Sequence, residues 1–241
     1  MPRERGTPQG GVVSPILMNL FMHYAFDFWM KRTNPSCPFA RYADDAVVHC
    51  SSKQQAEEVM RSIAERLAEC GLTMHPEKSK IVYCQDSNGT KRFPNVQFTF
   101  LGFTFRPRKA MSKPHRIFTS FLPGVSADAV KRMRKMVRGW RIPRQTPATL
   151  AELAQQYNSV MRGWWEYYGA FYQTAMREIF RYVDSKLEQW ARRKYKTLSR
   201  HKRRSVEWLG RVKKDCPGIF THWRVFSRPR LDNKSRVNRE I

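Results

Sequence analysis

A chain of 241 residues with 41% hydrophobic and 13% aromatic residues can bury one large core or two small ones, which excludes wholesale disorder. Lys and Arg number 45 against 20 Asp and Glu, a net charge of +25, so the folded chain repels itself unless a polyanion shares its space. Nucleic acid is the first candidate partner and an anionic membrane surface the second; no run of 18 apolar residues exists, so no membrane-spanning role is expected.

In chain order, Ser14 and Pro15 open an apolar helix, with Pro at a position where its missing N–H costs nothing. Leu17, Leu20, Phe21, Tyr24, Phe28 and Met30 follow near helical spacing. Phe39–Tyr42 and Ala46–Cys50 read as strands, with Asp44 and Asp45 at the tip of a β-hairpin. Ser51 and Ser52 cap a helix over Lys53–Cys70, which Gly71 stops. Strands are predicted at Lys80–Cys84 and Gln97–Phe105, with turn chemistry from Asp86 to Thr90.

The stretch from Arg106 to Pro114, rich in Pro, Arg and Lys, reads as a boundary. Residues 1–105 hold 12 Lys and Arg against 10 acids, whereas residues 106–241 hold 33 against 10. The second part reads as helical: Asp128–Arg141, Leu150–Tyr172, Ala175–Thr197 and a shorter helix near Val206–Lys213. Pro143 and Pro147 separate the first two. Arg224–Ile241 reads as a poorly ordered basic tail. Five scattered cysteines (Cys37, Cys50, Cys70, Cys84, Cys216) form no C-x-x-C pair. With no apolar signal region after the basic start, they point to a reducing cytoplasm.

The sharpest local feature is Arg41-Tyr42-Ala43-Asp44-Asp45-Ala46-Val47-Val48. Two carboxylates about 4 Å apart repel by roughly 4 kcal/mol at an effective dielectric of about 20. A divalent cation removes that cost, and hard oxygens on a rigid turn suit Mg²⁺, which keeps several waters and bridges to phosphate. A solvated acidic turn is the alternative. Gly10 and Gly11 allow either an ordinary tight loop or close backbone approach to a base pair.

Tyr42-Ala43-Asp44-Asp45 resembles the Tyr-x-Asp-Asp box of reverse transcriptases. Arg5 to Pro15 followed by Asn19 resembles the segment before the long palm helix in the group II intron branch. Gly71 to Lys80 resembles the next family block, and Phe100-Leu101-Gly102-Phe103 the strand that grips the primer. Tyr157 to Tyr168 is similar to the maturase-specific thumb domain of group II intron proteins.

The resemblance implies an α+β fold: a partial reverse transcriptase palm (an antiparallel sheet with helices) followed by an all-α thumb or maturase domain. The expected division is palm 1–108, basic linker 109–125, helical domain 126–200 and basic C-terminal segment 201–241. It implies that Asp44 bridges catalytic Mg²⁺ ions, with Asp45 the lesser ligand, in two-metal phosphoryl transfer. It places Pro8, Gln9, Gly10 and Gly11 at the template–nucleotide pocket and Leu101 and Gly102 at the primer grip. In this family another metal-binding Asp and the fingers region precede the pattern that begins here at Arg5. The expectation is a chain that holds Mg²⁺ poorly and lacks autonomous DNA synthesis.

For the basic half, Lys131, Arg132, Arg134, Lys135 and Arg138 share one predicted helix, while Arg162, Arg192, Arg193 and Lys194 lie on later ones. They are the candidate contacts to group II intron RNA, against the plainer reading of a solvated charged face. A DNA target or primer is a further candidate partner. Trp164, Trp165, Tyr167 and Tyr168 either pack in the core, the expected outcome for most of them, or stack on bases. Three functions stand open: an RNA-directed DNA polymerase, an RNA-binding maturase without chemistry, and a decayed remnant of the enzyme.

Overall fold

A computed structural model describes residues 11–87, 93–111 and 116–227. Pro8, Gln9 and Gly10, the turn residues 88–90 and the tail beyond 227 lie outside the described residues. The chain divides into two compact units, Met1–Tyr83 with Lys91–Val96 and Cys84–Thr90 with Gln97–Ile241.

The first unit begins with α1 (Ser14–Met22), which continues through a π-helical stretch, His23–Phe28, into α2 (Trp29–Thr33). Val13 is the N-cap and Ser14 already lies inside the helix, with no side-chain cap bond. The π stretch breaks the uniform helical spacing read from the apolar residues; such turns insert a residue and are frequent at functional sites. The inner face buries Met22, Phe26 and Met30 with Cys37 and Val59. The outer face leaves Ile16, Leu17, Leu20, Phe21, Tyr24 and Phe28 exposed, a contiguous apolar surface of the kind that marks an interaction site.

Strands β1 (Phe39–Tyr42) and β2 (Asp45–Val48) pair antiparallel in the register Phe39↔Val48 to Tyr42↔Asp45. A two-stranded hairpin is marginal alone. Here Phe39 sets its ring edge-on to Phe26 at 5.3 Å, which ties the hairpin to the helix. Helix α3 (Lys53–Glu69) follows, its Ser52 hydroxyl accepting from the Gln55 N–H. It ends in a Schellman motif: Gly71 takes φ +73, its N–H donates to Ala68 O, and the Leu72 N–H donates to Leu67 O. Residues 80–84 form no regular strand. They are held by single bonds, Tyr83 N–H to Asn95 O at 2.9 Å and the Asn95 amide to Ile81 O.

In the second unit, the single strand expected over Gln97–Phe105 is two, β3 (Phe98–Phe100) and β4 (Phe103–Met111). The turn between them has Leu101 at φ +50 and Gly102 at φ +78, the left-handed pair that a tight hairpin requires. Of the stretch expected as a basic linker, 109–125, residues 109–111 and 117–125 are strand instead. β4 pairs with β5 (Ile117–Val125) from Phe103↔Val125 to Met111↔Ile117. Pro107 is accommodated because β3 reaches only to Phe105, so β4 is bordered there by β5 alone. Arg108, read as linker charge, is half-buried. Its guanidinium lies 4.7 Å from the Tyr172 ring centre and donates to the Leu122 and Thr104 carbonyls. Burial and the neighbouring Arg106 push its pKa below the ordinary arginine value.

Helices α4 (Ala127–Gly139), α5 (Leu150–Tyr168), α6 (Arg177–Lys194), α7 (Lys202–Asp215) and α8 (Thr221–Ser227) complete the unit. Ser126 caps α4, and Thr149 with Glu152 forms a capping box on α5. α5 stops at Tyr168 rather than Tyr172, because the chain turns at Gly169, whose N–H still reaches Trp165 O. α6 is the central element: Ile179, Phe180, Val183, Leu187, Trp190 and Ala191 are buried along one stripe. The expected C-terminal segment 201–241 contains α7 and α8, so Arg224–Ser227 are helical rather than tail. What recruits them is the core, where Phe220 and Trp223 are buried.

One polar cluster lies within this apolar packing. The Asp184 carboxylate accepts from Lys213 Nζ at 2.6 Å, Trp223 Nε1 at 2.9 Å and His222 Nε2 at 3.0 Å. His222 is 2% exposed, and among the described residues its buried Nδ1 finds no hydrogen-bond partner. Burial pushes the His222 pKa below the ordinary 6.5, opposed by its bond to Asp184. The unfolded chain therefore binds a proton that the folded chain refuses. Stability is expected to be full above pH 6.5 and to fall as acid is added below it, read as the denaturant midpoint. His222→Gln flattens that decline; a midpoint that rises on acidification contradicts the account.

Candidate active site and nucleic-acid interface

The hairpin joins β1 to β2 through Ala43 and Asp44, with Ala43 at φ +54. Asp44 sits at the apex and Asp45 is the first residue of β2; both are exposed. Ala43 is a non-glycine residue in left-handed backbone, which persists only where its surroundings hold it. Arg41 is what holds it. Its Nη1 donates to Ala43 O at 2.7 Å and to Asn19 Oδ1 at 3.1 Å. Its Nε and Nη2 donate to the two carboxylate oxygens of Asp27 at 2.7 and 2.6 Å.

One guanidinium thus clamps the turn backbone to the long helix, in the bidentate geometry that only Arg provides. The Arg41 side chain is 10% exposed and that of Asp27 18%. The hydrogen bonds from Arg41 hold the Asp27 carboxyl below its ordinary range. Asn19 lies in α1 and Asp27 in the π stretch, and both reach the same guanidinium.

Sequence reasoning missed the pairing of Asp27 with Arg41. The signal was available. Arg41 faces the helix beside a turn, and Asp27 is the only carboxylate between Glu4 and Asp44.

Asp44 and Asp45 are exposed hard-oxygen donors on a turn fixed from behind. Among the described residues no cluster of three or more His, Cys, Asp and Glu is poised for a metal. The pair therefore fits one part of a divalent-ion site, with water and phosphate oxygens completing it. Gly11, the one described member of the expected template pocket, lies just before α1, and its carbonyl accepts from Ser14 N–H at 3.3 Å.

Leu101 and Gly102 belong to the second unit. The Tyr167 hydroxyl donates to Leu101 O at 2.9 Å. A Cβ on Gly102 would stand 3.0 Å from the Tyr168 hydroxyl, so this turn is fitted against α5. Trp164, Trp165 and Tyr168 pack against the core, while Tyr167 stays 49% exposed.

The candidate RNA-contacting cations separate by environment. Lys194 donates to three carbonyls, Thr146, Pro147 and Ala148, and closes the loop before α5. Arg192 donates to the Ser205 hydroxyl at 2.6 Å. Arg134 pairs with Glu178 at 2.8 Å and lies over Tyr182. Lys131 pairs with Asp128 at 3.6 Å at the exposed start of α4. Arg132, Lys135, Arg138, Arg162 and Arg193 are exposed.

Residues 1–105 match the family model for reverse transcriptase (RNA-dependent DNA polymerase). Residues 130–208 match that for the group II intron, maturase-specific domain. No curated protein matches the sequence. The protein is thus of the class that joins a reverse transcriptase domain to a maturase domain. It belongs to the group II intron reverse transcriptase/maturase family, and both regions and the α+β division agree with that assignment. The first match implies divalent-metal-dependent polymerase chemistry and the second implies intron RNA as the partner. Among the described residues no helix is long and apolar enough to cross a membrane.

Removing the clamp isolates its role. Arg41→Gln leaves Asp27 partly buried with only the His23 ring, 3.8 Å away, beside it, and the expected loss on denaturant unfolding is about 1–3 kcal/mol. Asp27 has a lowered folded pKa, so its contribution is complete above 3.8 and fades as pH falls through the folded value. Arg41→Gln should remove that acid-side decline along with the stability. An unchanged midpoint at neutral pH and in acid would mean that the clamp contributes nothing.

Proposed function

We propose that the chain binds structured group II intron RNA through its helical unit and presents Asp44 and Asp45 to Mg²⁺ held jointly with phosphate oxygens. The single observation that carries this reading is the concentration of charge. Residues 106–241 hold 33 Lys and Arg against 10 acids, on the unit that contains the maturase-specific match. A polyanion is the natural counterion for such a surface, and its phosphates attract it irrespective of sequence. Structured RNA is favoured over a membrane because the excess of cations lies on the helical unit that carries the maturase-specific match.

In the hairpin unit Asp44 and Asp45 are the groups that would hold the ion. Bound there, a divalent ion supplies charge stabilisation for phosphoryl transfer. The chain's own contribution is positional: Arg41 and Asp27 fix the turn, and the turn fixes where Asp44 presents its oxygens. A DNA target or primer is proposed as the second nucleic acid, engaged near Leu101 and Gly102. The five free cysteines favour the cytoplasm as the compartment.

Fluorescence anisotropy against folded intron RNA tests the reading. If roughly 6–10 phosphates are neutralised, affinity falls by about 10³–10⁵ between 50 and 200 mM salt. Asp44→Ala leaves that titration unchanged and abolishes any Mg²⁺-dependent extension of a primed RNA template. A flat salt response, or extension that survives Asp44→Ala, contradicts it.

A further inference from the structure

The cations of the helical unit are not equivalent, and one group of them converges. A cleft of about 310 Å³ opens where the end of α4 meets the chain reversal before α5 and one face of α6. Arg138, Arg141, Arg144, Lys186 and Arg193 line it with Gln189, and no carboxylate does. Among the described residues four cations elsewhere in this unit pair with a carboxylate: Lys131 with Asp128, Arg134 with Glu178, Arg203 with Glu207 and Lys213 with Asp184. None of the five cleft cations pairs with a carboxylate among the described residues. The acids of α6 are directed elsewhere. Glu178 pairs with Arg134 and Asp184 with Lys213 and His222, while Glu188 feels Asp184 and the cations Arg192, Lys213 and Lys202.

The cleft is also built. Ile142 is buried beneath the reversal, and Trp190 Nε1 donates to Gln145 O at 2.9 Å. The Gln145 amide donates back to Trp140 O at 2.7 Å, and Tyr157 supports the same carbonyl. Arg193 Nη1 donates to Pro143 O at 3.2 Å, which fixes one wall. Arg141 is held at φ +50, a left-handed conformation that a residue with a Cβ keeps only under external constraint. A rigid concavity ringed by five cations is unfavourable when empty of anions, and it is preorganised for one.

We infer that this cleft seats a turn of the RNA sugar–phosphate backbone, its cations on adjacent phosphates and the Gln189 amide on the intervening ribose 2′-hydroxyl. The inference rests on the RNA-binding reading above and assigns its principal contact. Arg and Lys heads match phosphate oxygens. Gln189 is the only neutral polar side chain in the lining. Its amide both donates and accepts, as a 2′-hydroxyl also does, and that group distinguishes RNA from DNA. The volume equals about ten waters at about 30 Å³ each, room for a backbone segment and not for a duplex.

Two charge-matched variants separate the cleft from general basicity. The cleft triple is Arg138→Gln/Lys186→Gln/Arg144→Gln, which spares Arg141 and Arg193 because they shape the wall. The control triple is Lys196→Gln/Lys202→Gln/Lys214→Gln, exposed cations of the same unit that do not line the cleft. Against folded intron RNA the cleft triple should lose on the order of 10–100-fold in affinity and flatten the log–log salt slope by about 2–3. The control should lose about threefold or less and keep its slope near that of the wild type. Circular dichroism melts check that both triples fold alike. Gln189→Leu should narrow the preference for an RNA strand over the DNA strand of the same sequence. Equal losses in the two triples, or an unchanged RNA preference in Gln189→Leu, overturn the assignment while leaving RNA binding intact. A wild type that does not bind intron RNA sinks the broader reading instead. Inorganic phosphate titrated by calorimetry is the remaining arm. Millimolar binding that vanishes in the cleft triple, with RNA affinity unaltered, makes this a free-phosphate site and overturns the inference.

Discussion

Residues 106–241 hold 33 Lys and Arg against 10 Asp and Glu, and the physical account of the helical unit rests on this imbalance. Self-repulsion acts against compaction, so the apolar core must hold the unit together. It does so through α6, whose buried stripe from Ile179 to Trp190 meets α4, α5, α7 and α8 in one cluster. The few acids are placed where they matter most. Asp184 sits inside and binds three donors at once, which docks α8 through His222 and Trp223. Three acids pair with surface cations, Asp128 with Lys131, Glu178 with Arg134 and Glu207 with Arg203, which leaves exposed cations such as Arg132, Lys135 and Arg138 in excess.

The first unit solves a different electrostatic problem. Two adjacent carboxylates at a hairpin tip repel each other and call for a rigid support. The support is Arg41, spent behind the turn on Asp27, Asn19 and the Ala43 carbonyl. Those contacts occupy the Arg41 guanidinium behind the turn. The two acidic groups stay exposed, and the left-handed backbone at Ala43 is held by a guanidinium rather than by either carboxylate.

Much of this was legible in the sequence because the signals were local. Asp44 at a hairpin tip followed from two short apolar runs around an acidic pair, and α3 from a serine cap and a terminal glycine. What escaped was non-local. The π stretch at His23–Phe28 leaves the apolar composition of the helix unchanged and shows only in which residues share a face. The β4–β5 ribbon was hidden because Pro107, Arg108 and Lys109 read as a breaker and a charge run. Arg108 is in fact housed over Tyr172 and against the backbone carbonyls of Thr104 and Leu122. Helix α8 was masked by its basic neighbours, although Phe220 and Trp223 supply the burial that orders it. The cationic cleft needed three separated segments brought together, which spacing along the chain does not reveal.

The claim that RNA is the missing counterion is tested most directly by thermal stability. The melting midpoint of the free protein is measured across monovalent salt, then at low salt with stoichiometric folded intron RNA. Repulsion among unpaired cations predicts a midpoint that climbs with salt and climbs further with RNA, the RNA increment shrinking as salt rises. A midpoint indifferent to both would show that the excess charge carries no electrostatic penalty, and the functional reading built on it would fall.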